Sequence, residues 1–245
     1  VLKNKKKIKI GFDPKLHTNK QLNFLFNSKN IALKSVYKNL VDVVWPKKPK
    51  DSIKPFFSLN KRDAGQSSKE KIAKIKKILV NNNTDYLLVT APENVAWILN
   101  IRGYDSEFSP IPNARLLIGR NGTINFFAES KKVIKIKKIL SKKIKFYDED
   151  KIDKELNKLS KKSVWLDIFS CSIHYKNLLR KKNKLIEKTD PIYFLKSIKN
   201  STEIKNMKKS HMIDGVALTK FLFWLKKNFK KKKITEISAQ RKLEN

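Results

Sequence analysis

Residues 86–127 constrain the fold of this chain more than any other segment. Tyr86-Leu87-Leu88-Val89 is an apolar run too short for a helix and reads as a buried strand. Residues 93–100 follow with apolar positions at helical spacing, and Ile101-Arg102-Gly103-Tyr104-Asp105 closes that helix, with Gly103 expected as its C-cap. Two prolines, Pro110 and Pro112, lead into a second apolar run at residues 114–118. A third lies at residues 123–127, and Gly119-Arg120-Asn121-Gly122 separates the two. Asn-Gly between such runs is a strong hairpin signal. Strand, helix and antiparallel hairpin in so short a span predict an α/β domain, a mixed sheet with helices on its faces.

The same alternation extends on both sides. Ser67 and Ser68 can cap a helix through about residue 80, with Ile72, Ile75 and Leu79 on one face. A basic helix is expected near residues 130–140, a short strand at 145–147, a helix at 150–159, a strand at 164–167 and a helix at 172–180. Upstream, residues 1–46 read strand, helix, strand. There Thr18 and Gln21 form a capping box, and Leu22, Leu25 and Phe26 are expected to be buried. Residues 31–37 are the second strand, before the apolar segment Asn39-Leu40-Val41-Asp42-Val43-Val44-Trp45-Pro46. Proline, glycine and charge break any period over 47–66, which reads as a linker. Asp190-Pro191 opens a boundary element. Asn200 with Glu203 then caps a long helix carrying Ile204, Met207, His211, Leu218, Leu222 and Leu225 on one stripe. The expected division is therefore 1–46, a linker 47–66, a domain 67–190 and a further start at 191–245.

Composition excludes several classes. With 40% hydrophobic and 10% aromatic residues in 245, the chain can build cores, so global disorder is not expected. No apolar run reaches the ~18 residues of a membrane span. The single cysteine, Cys171, rules out an internal disulfide and fits a reducing cytoplasm; its apolar neighbours predict a buried, inert thiol. The net charge of +35 would ordinarily suggest nucleic acid. Only six of the 57 basic residues are arginine, however, leaving 51 lysines in short scattered clusters. A solvated lysine surface is the preferred reading, with salt-sensitive sticking to polyanions and no specific nucleic-acid partner.

Three stretches of the chain carry a resemblance. Residues 92–117, PENVAWILNIRGYDSEFSPIPNARLL, match a W-hydrophobic-hydrophobic-N-hydrophobic-R-G pattern through Trp97, Asn100, Arg102 and Gly103. Asn39-Leu40-Val41-Asp42 followed by Trp45 matches an NLVD-hydrophobic-W pattern. KSIKNSTEIKNMKKSHMIDGVAL, residues 196–218, resembles the helix that opens a pita-bread catalytic domain. Together they resemble the Xaa-Pro aminopeptidases, the aminopeptidase P branch of the creatinase and methionine aminopeptidase superfamily, in its long three-domain form. The resemblance implies creatinase-type N-terminal domains followed by the first helix of a truncated pita-bread domain. It implies a parent enzyme that removes the residue preceding proline from peptides. The parent would use two divalent metal ions, with Mn2+ expected, and the resemblance admits a homodimer.

That chemistry needs aspartates, a histidine and glutamates around two metals, and the resemblance places them all downstream of this chain. The residues agree. His17, His174 and His211 are far apart in sequence, no HxH, HExxH or DxD pattern occurs, and Asp148-Glu149-Asp150 reads as a helix-capping cluster. No catalytic and no metal-ligating residue is therefore assigned. Neither Val1 nor the end at Leu243-Glu244-Asn245 inside a helical pattern looks like a natural terminus, so the chain is expected to be a fragment and inactive alone. The candidate substrate-binding residues are Trp97, Asn100 and Arg102, with Arg102 suited to a peptide carboxylate. The competing expectation pairs Arg102 with Asp105 or Glu107. His211 is expected as a neutral core histidine, and His174 has no neighbouring partner in sequence. The alternative function is a non-catalytic creatinase-fold module that binds protein or polyanion.

Overall fold

Six short strands form the central sheet, and their alternating side chains build a core on each face. The computed structural model describes residues 8–45, 47, 53–231 and 233–244. In chain order the elements are β1 (Ile8–Phe12), α1 (Asn19–Leu25), β2 (Ile31–Ser35), α2 (Leu40–Val44), β3 (Phe57–Ser58), α3 (Lys61–Ala64) and α4 (Ser68–Asn81). Then come β4 (Tyr86–Val89), α5 (Pro92–Leu99), β5 (Ile101–Arg102), β6 (Arg115–Gly119), β7 (Ile124–Phe127), α6 (Ile134–Lys137) and β8 (Ile144–Tyr147). The last seven are α7 (Ile152–Asn157), β9 (Ser163–Leu166), α8 (Ile173–Arg180), β10 (Lys184–Glu187), α9 (Pro191–Ser197), α10 (Ser201–Asn228) and α11 (Glu236–Glu244).

The sheet order is β10-β9-β4-β6-β7-β8. Strands β10, β9 and β4 run parallel, β6 is antiparallel to both β4 and β7, and β7 and β8 are parallel. This is the mixed α/β sheet expected. The period of two sorts residues between faces. Leu87, Val89, Leu116, Ile118, Phe126 and Trp165 point to a core with Ile75 and Leu79 of α4 and Val95 and Ile98 of α5. Leu88, Leu117, Phe127, Val164 and Leu166 point to the other, with Ile152 and Leu156 of α7 and Leu179 of α8. The β6–β7 hairpin turns at Asn121-Gly122, where Gly122 has φ +87° and the Asn121 side-chain oxygen Oδ1 accepts from Thr123 N.

The first segment is a smaller layer within the same compact unit, which comprises residues 1–60 and 66–198. β1 and β2 pair in parallel. Thr18 caps α1 as expected, but Gln21 turns to His17 Nδ1 at 3.1 Å. Leu22 is buried, whereas Leu25 is 53% exposed, so the expected burial of Leu25 is corrected. The turn before α1 attaches to the start of α8, where Ile173 N donates to His17 O and His174 N to Pro14 O.

A second unit comprises residues 61–65 and 199–245. Asn200 and Glu203 form the expected capping box of α10. The Asn200 amide also donates to Ala64 O at 3.0 Å, and Asn206 donates to Asp63 O. No residue of α10 or α11 is buried. The expectation of a core histidine at His211 therefore fails: His211 lies exposed, and no residue of the α10 stripe is buried.

Four further readings change. The expected linker 47–66 contains a core residue, since Phe56 is fully buried and Phe57-Ser58 pairs antiparallel with β5; residues 48–52 of it lie outside the described residues. The expected helix at 130–140 shrinks to α6, because the Lys132 carbonyl accepts from Phe56 N and so does not serve a helix. β10 went unread because four residues with a charge at each end carry little strand signal. Residues 191–197, read as a boundary element, are the helix α9.

Candidate functional site

The turn that ends α5 gathers the three candidate residues. Asn100, with φ 53° and ψ 41°, is the left-handed C-cap, and its N–H reaches Ala96 O and Trp97 O. The cap is thus one turn earlier than the Gly103 expected. Asparagine tolerates this conformation better than other non-glycine residues because its short amide can bond locally. Here the bonds are long-range. The Asn100 carboxamide oxygen accepts from Lys71 Nζ at 2.7 Å, and its nitrogen donates to Gln66 O at 2.7 Å. Asn100 is 6% exposed and Lys71 only 1%.

Two cations serve the last carbonyls of α5. Lys71 Nζ donates to Trp97 O at 2.9 Å and stands 4.1 Å over the Trp97 ring. Arg102 Nη1 donates to Ala96 O at 3.3 Å and Ile101 O at 2.9 Å. Positive charge is favoured at a helix C-terminus, where unsatisfied carbonyls carry the negative end of the dipole. Trp97 is half-buried against the core, and Arg102 is half-exposed.

Gly103 has a different task from the one expected. A Cβ there would fall 2.7 Å from Pro112 Cα and 3.1 Å from the Phe56 ring, so glycine permits the close approach of two loop strands. Asp105, the expected partner of Arg102, is taken by Lys132 Nζ at 2.7 Å and by Asn113 N at 2.6 Å. Facing Arg102 in the β3–β5 pair is Phe57, whose ring meets that of Tyr104 at 5.4 Å.

Sequence reasoning missed a second buried polar cluster, beyond the ends of β4 and β9. Asp167 accepts from Ser170 Oγ and N and from Asp190 N at 2.9 Å. Asp190 accepts from Ile192 N at 2.8 Å, capping α9, and from Asn94 Nδ2 at 2.9 Å. Lys196 donates to Asn94 Oδ1 at 2.8 Å. Burial pushes the Asp190 carboxyl up to about 6, opposed by the bonds from Ile192 and Asn94 and aided by the Asp167 charge. The available signal was Asp190-Pro191, an N-cap followed by proline at the first helical position. Its burial was not legible, because the groups around it come from residues near 94 and 167.

The remaining candidates are structural. Cys171 is buried, and desolvation with help from Asp167 pushes its thiol up to about 12, the behaviour of an inert cysteine. Asp148 caps the turn at residues 149–151, and Glu149 pairs with Arg115 at 2.8 Å. His174 Nε2 has the partner its sequence neighbourhood lacked, Asp153 at 2.8 Å. Two divalent ions do not fit the described residues, among which no three His, Cys, Asp or Glu side chains converge. No described helix is long and apolar enough to cross a membrane.

Comparison with known proteins places this architecture. The Xaa-Pro aminopeptidase 1 of Dictyostelium discoideum is 32% identical over 98% of this chain, and the Drosophila melanogaster Xaa-Pro aminopeptidase ApepP is 29% identical over 96%. The chain spans about 40% of the length of these curated relatives. A crystal structure of X-prolyl aminopeptidase from Caenorhabditis elegans, described as a cytosolic enzyme with a di-nuclear active site, superposes with a TM-score of 0.84. That match, at 24% identity, covers 98% of this chain and 41% of the other. The creatinase/prolidase N-terminal domain matches residues 47–203, and the chain belongs to that family.

Proposed function

We propose that this chain is the N-terminal portion of a metal-dependent Xaa-Pro aminopeptidase that removes the residue preceding proline from peptides. The observation that carries the reading is the similarity of 98% of the chain to an Xaa-Pro aminopeptidase at 32% identity. In this reading two divalent ions, with Mn2+ expected, are held by a catalytic domain outside the 245 residues, and these residues alone are inactive. The proposed division is a first-domain remnant at 1–46, a second domain at 67–190 and the opening of the catalytic domain from 191. The proposed compartment is the cytoplasm.

The α5 turn supplies the proposed substrate contact. Arg102 attracts the peptide carboxylate, since a guanidinium binds one bidentately, and the half-buried Trp97 offers an apolar wall. Asn100 is buried with both ends of its amide engaged, so its proposed part is to fix the turn. The test is the complete reading frame assayed on a short Xaa-Pro peptide with Mn2+. Release of the first residue, abolished by a chelator, supports the reading. No release at any metal tested would sink it in favour of a binding module.

A further inference from the structure

Lysine is almost never fully buried without a structural or chemical reason, because desolvating an ammonium is expensive. Lys71 is 1% exposed, while most of the other described lysines remain in solvent. Its position on α4 explains the choice. The α4 face that carries Ile75 and Leu79 into the core also carries Lys71, one turn earlier. The side chain crosses to the end of α5 and donates to Trp97 O and Asn100 Oδ1. Its ammonium lies 4.1 Å from the centre of the Trp97 ring, an arrangement strengthened by exclusion of water.

These contacts fix the segment from which Arg102 projects. Asn100 is the left-handed residue at which α5 turns into β5, and Arg102 is two residues on. Arg102 rests on Ala96 O, the carbonyl next to the one that Lys71 holds. Neutralising Lys71 would remove one donor from Trp97 O and one from the Asn100 carboxamide oxygen, and the turn would lose its tie through Lys71 to α4. We infer that Lys71 is a positioning residue: it holds the α5–β5 turn in the geometry that presents Arg102 and Trp97 to the carboxylate-bearing end of a peptide. This inference rests on the proposed peptidase reading for its functional half and on the geometry alone for its structural half.

The experiment uses the complete reading frame, with variants Lys71→Met, Arg102→Ala and the double variant. KM and kcat are measured on an Xaa-Pro peptide with a free C-terminal carboxylate and on its amide. Acrylamide quenching of Trp97 is followed in a background where every other tryptophan of the complete protein, Trp45, Trp165 and Trp224 included, is phenylalanine. Lys71→Met is expected to raise KM for the carboxylate peptide about tenfold, the scale of one lost hydrogen bond to a charged group. The amide peptide and kcat should change little, quenching of Trp97 should rise, and the double variant should be no worse than Arg102→Ala. Additive KM effects, or a KM unmoved by Lys71→Met while Arg102→Ala raises it, would overturn the positioning role. A silent Arg102→Ala would instead defeat the carboxylate reading. The quenching result then still decides whether Lys71 holds the turn, and unchanged quenching overturns that half as well.

Discussion

The sheet and helix α10 both carry clear apolar periodicity, and they put it to different use. Along β4 and β6 every second residue is driven into one of two cores, to full burial at Leu87, Leu88, Leu116 and Ile118. Along α10 the stripe Ile204, Met207, Leu218 and Leu222 stays 44–48% exposed. The pattern states which face wants to leave water; it does not state what will cover it. Burial in the sheet comes from several elements whose patterns agree, whereas α10, which meets α3 and α11 within its own unit, buries none of its residues.

The sharpest way to test that contrast is to remove core volume on the sheet side. Phe56 is fully buried and lies against Gly103. Phe56→Ala should cost about 3–5 kcal/mol, the usual range for an aromatic cavity, read as a fall in the urea midpoint. A cost below about 1 kcal/mol would mean that residues 53–59 are the linker their composition suggests.

Next in size is the buried Asp190. Its folded pKa, about 6, lies above the ordinary 3.8, so the folded state holds the proton more tightly. Stability is then greatest at low pH for this group and is lost as pH rises from about 4 to about 6. The span corresponds to about 3 kcal/mol. Asp190→Asn keeps a capping oxygen and removes the charge, and it should flatten that slope in melts taken across the window. An unchanged slope would show that another group titrates there.

Asn100 follows. Asn100→Ala removes partners of both Lys71 and Gln66 O, at about 1–3 kcal/mol per group left unsatisfied in the interior. Asn100→Gly restores left-handed freedom without the amide. The two variants together separate the backbone share from the hydrogen-bond share. Near-equal losses would assign the cost to the amide, and full recovery by glycine would assign it to φ.

The sheet was legible because each strand's pattern, turn and flanking helix agreed, and Asn121-Gly122 fixed the hairpin. The candidate site was legible only in part. Asn100 and Arg102 stood out as residues in a motif, but the Lys71 that serves them is 29 positions from Asn100 and looks like any other lysine on α4. Asp167 and Asp190 are likewise joined only by the fold. Phe56 was hidden by its neighbours, since proline and charge around it read as a break while its ring was drawn inward. Local pattern gives the face of an element. Pairings between distant polar groups depend on topology, which no window of sequence contains.

The smallest expected effect belongs to α10 and completes the contrast. Leu222→Ala removes apolar atoms from a side chain already 46% exposed, and alanine is the better helix former. The two terms oppose each other, so urea denaturation of this chain should move by no more than about 0.5 kcal/mol, the range of ordinary surface substitutions. Carrying Leu218→Ala alongside should leave the effect nearly additive, because neither residue shares a tight cavity with the other. A loss of 2 kcal/mol or more would require a packed neighbour over the stripe. In that event the difference between sheet and helix would lie in how deeply each is covered, and α10 would count as a core element of its own unit.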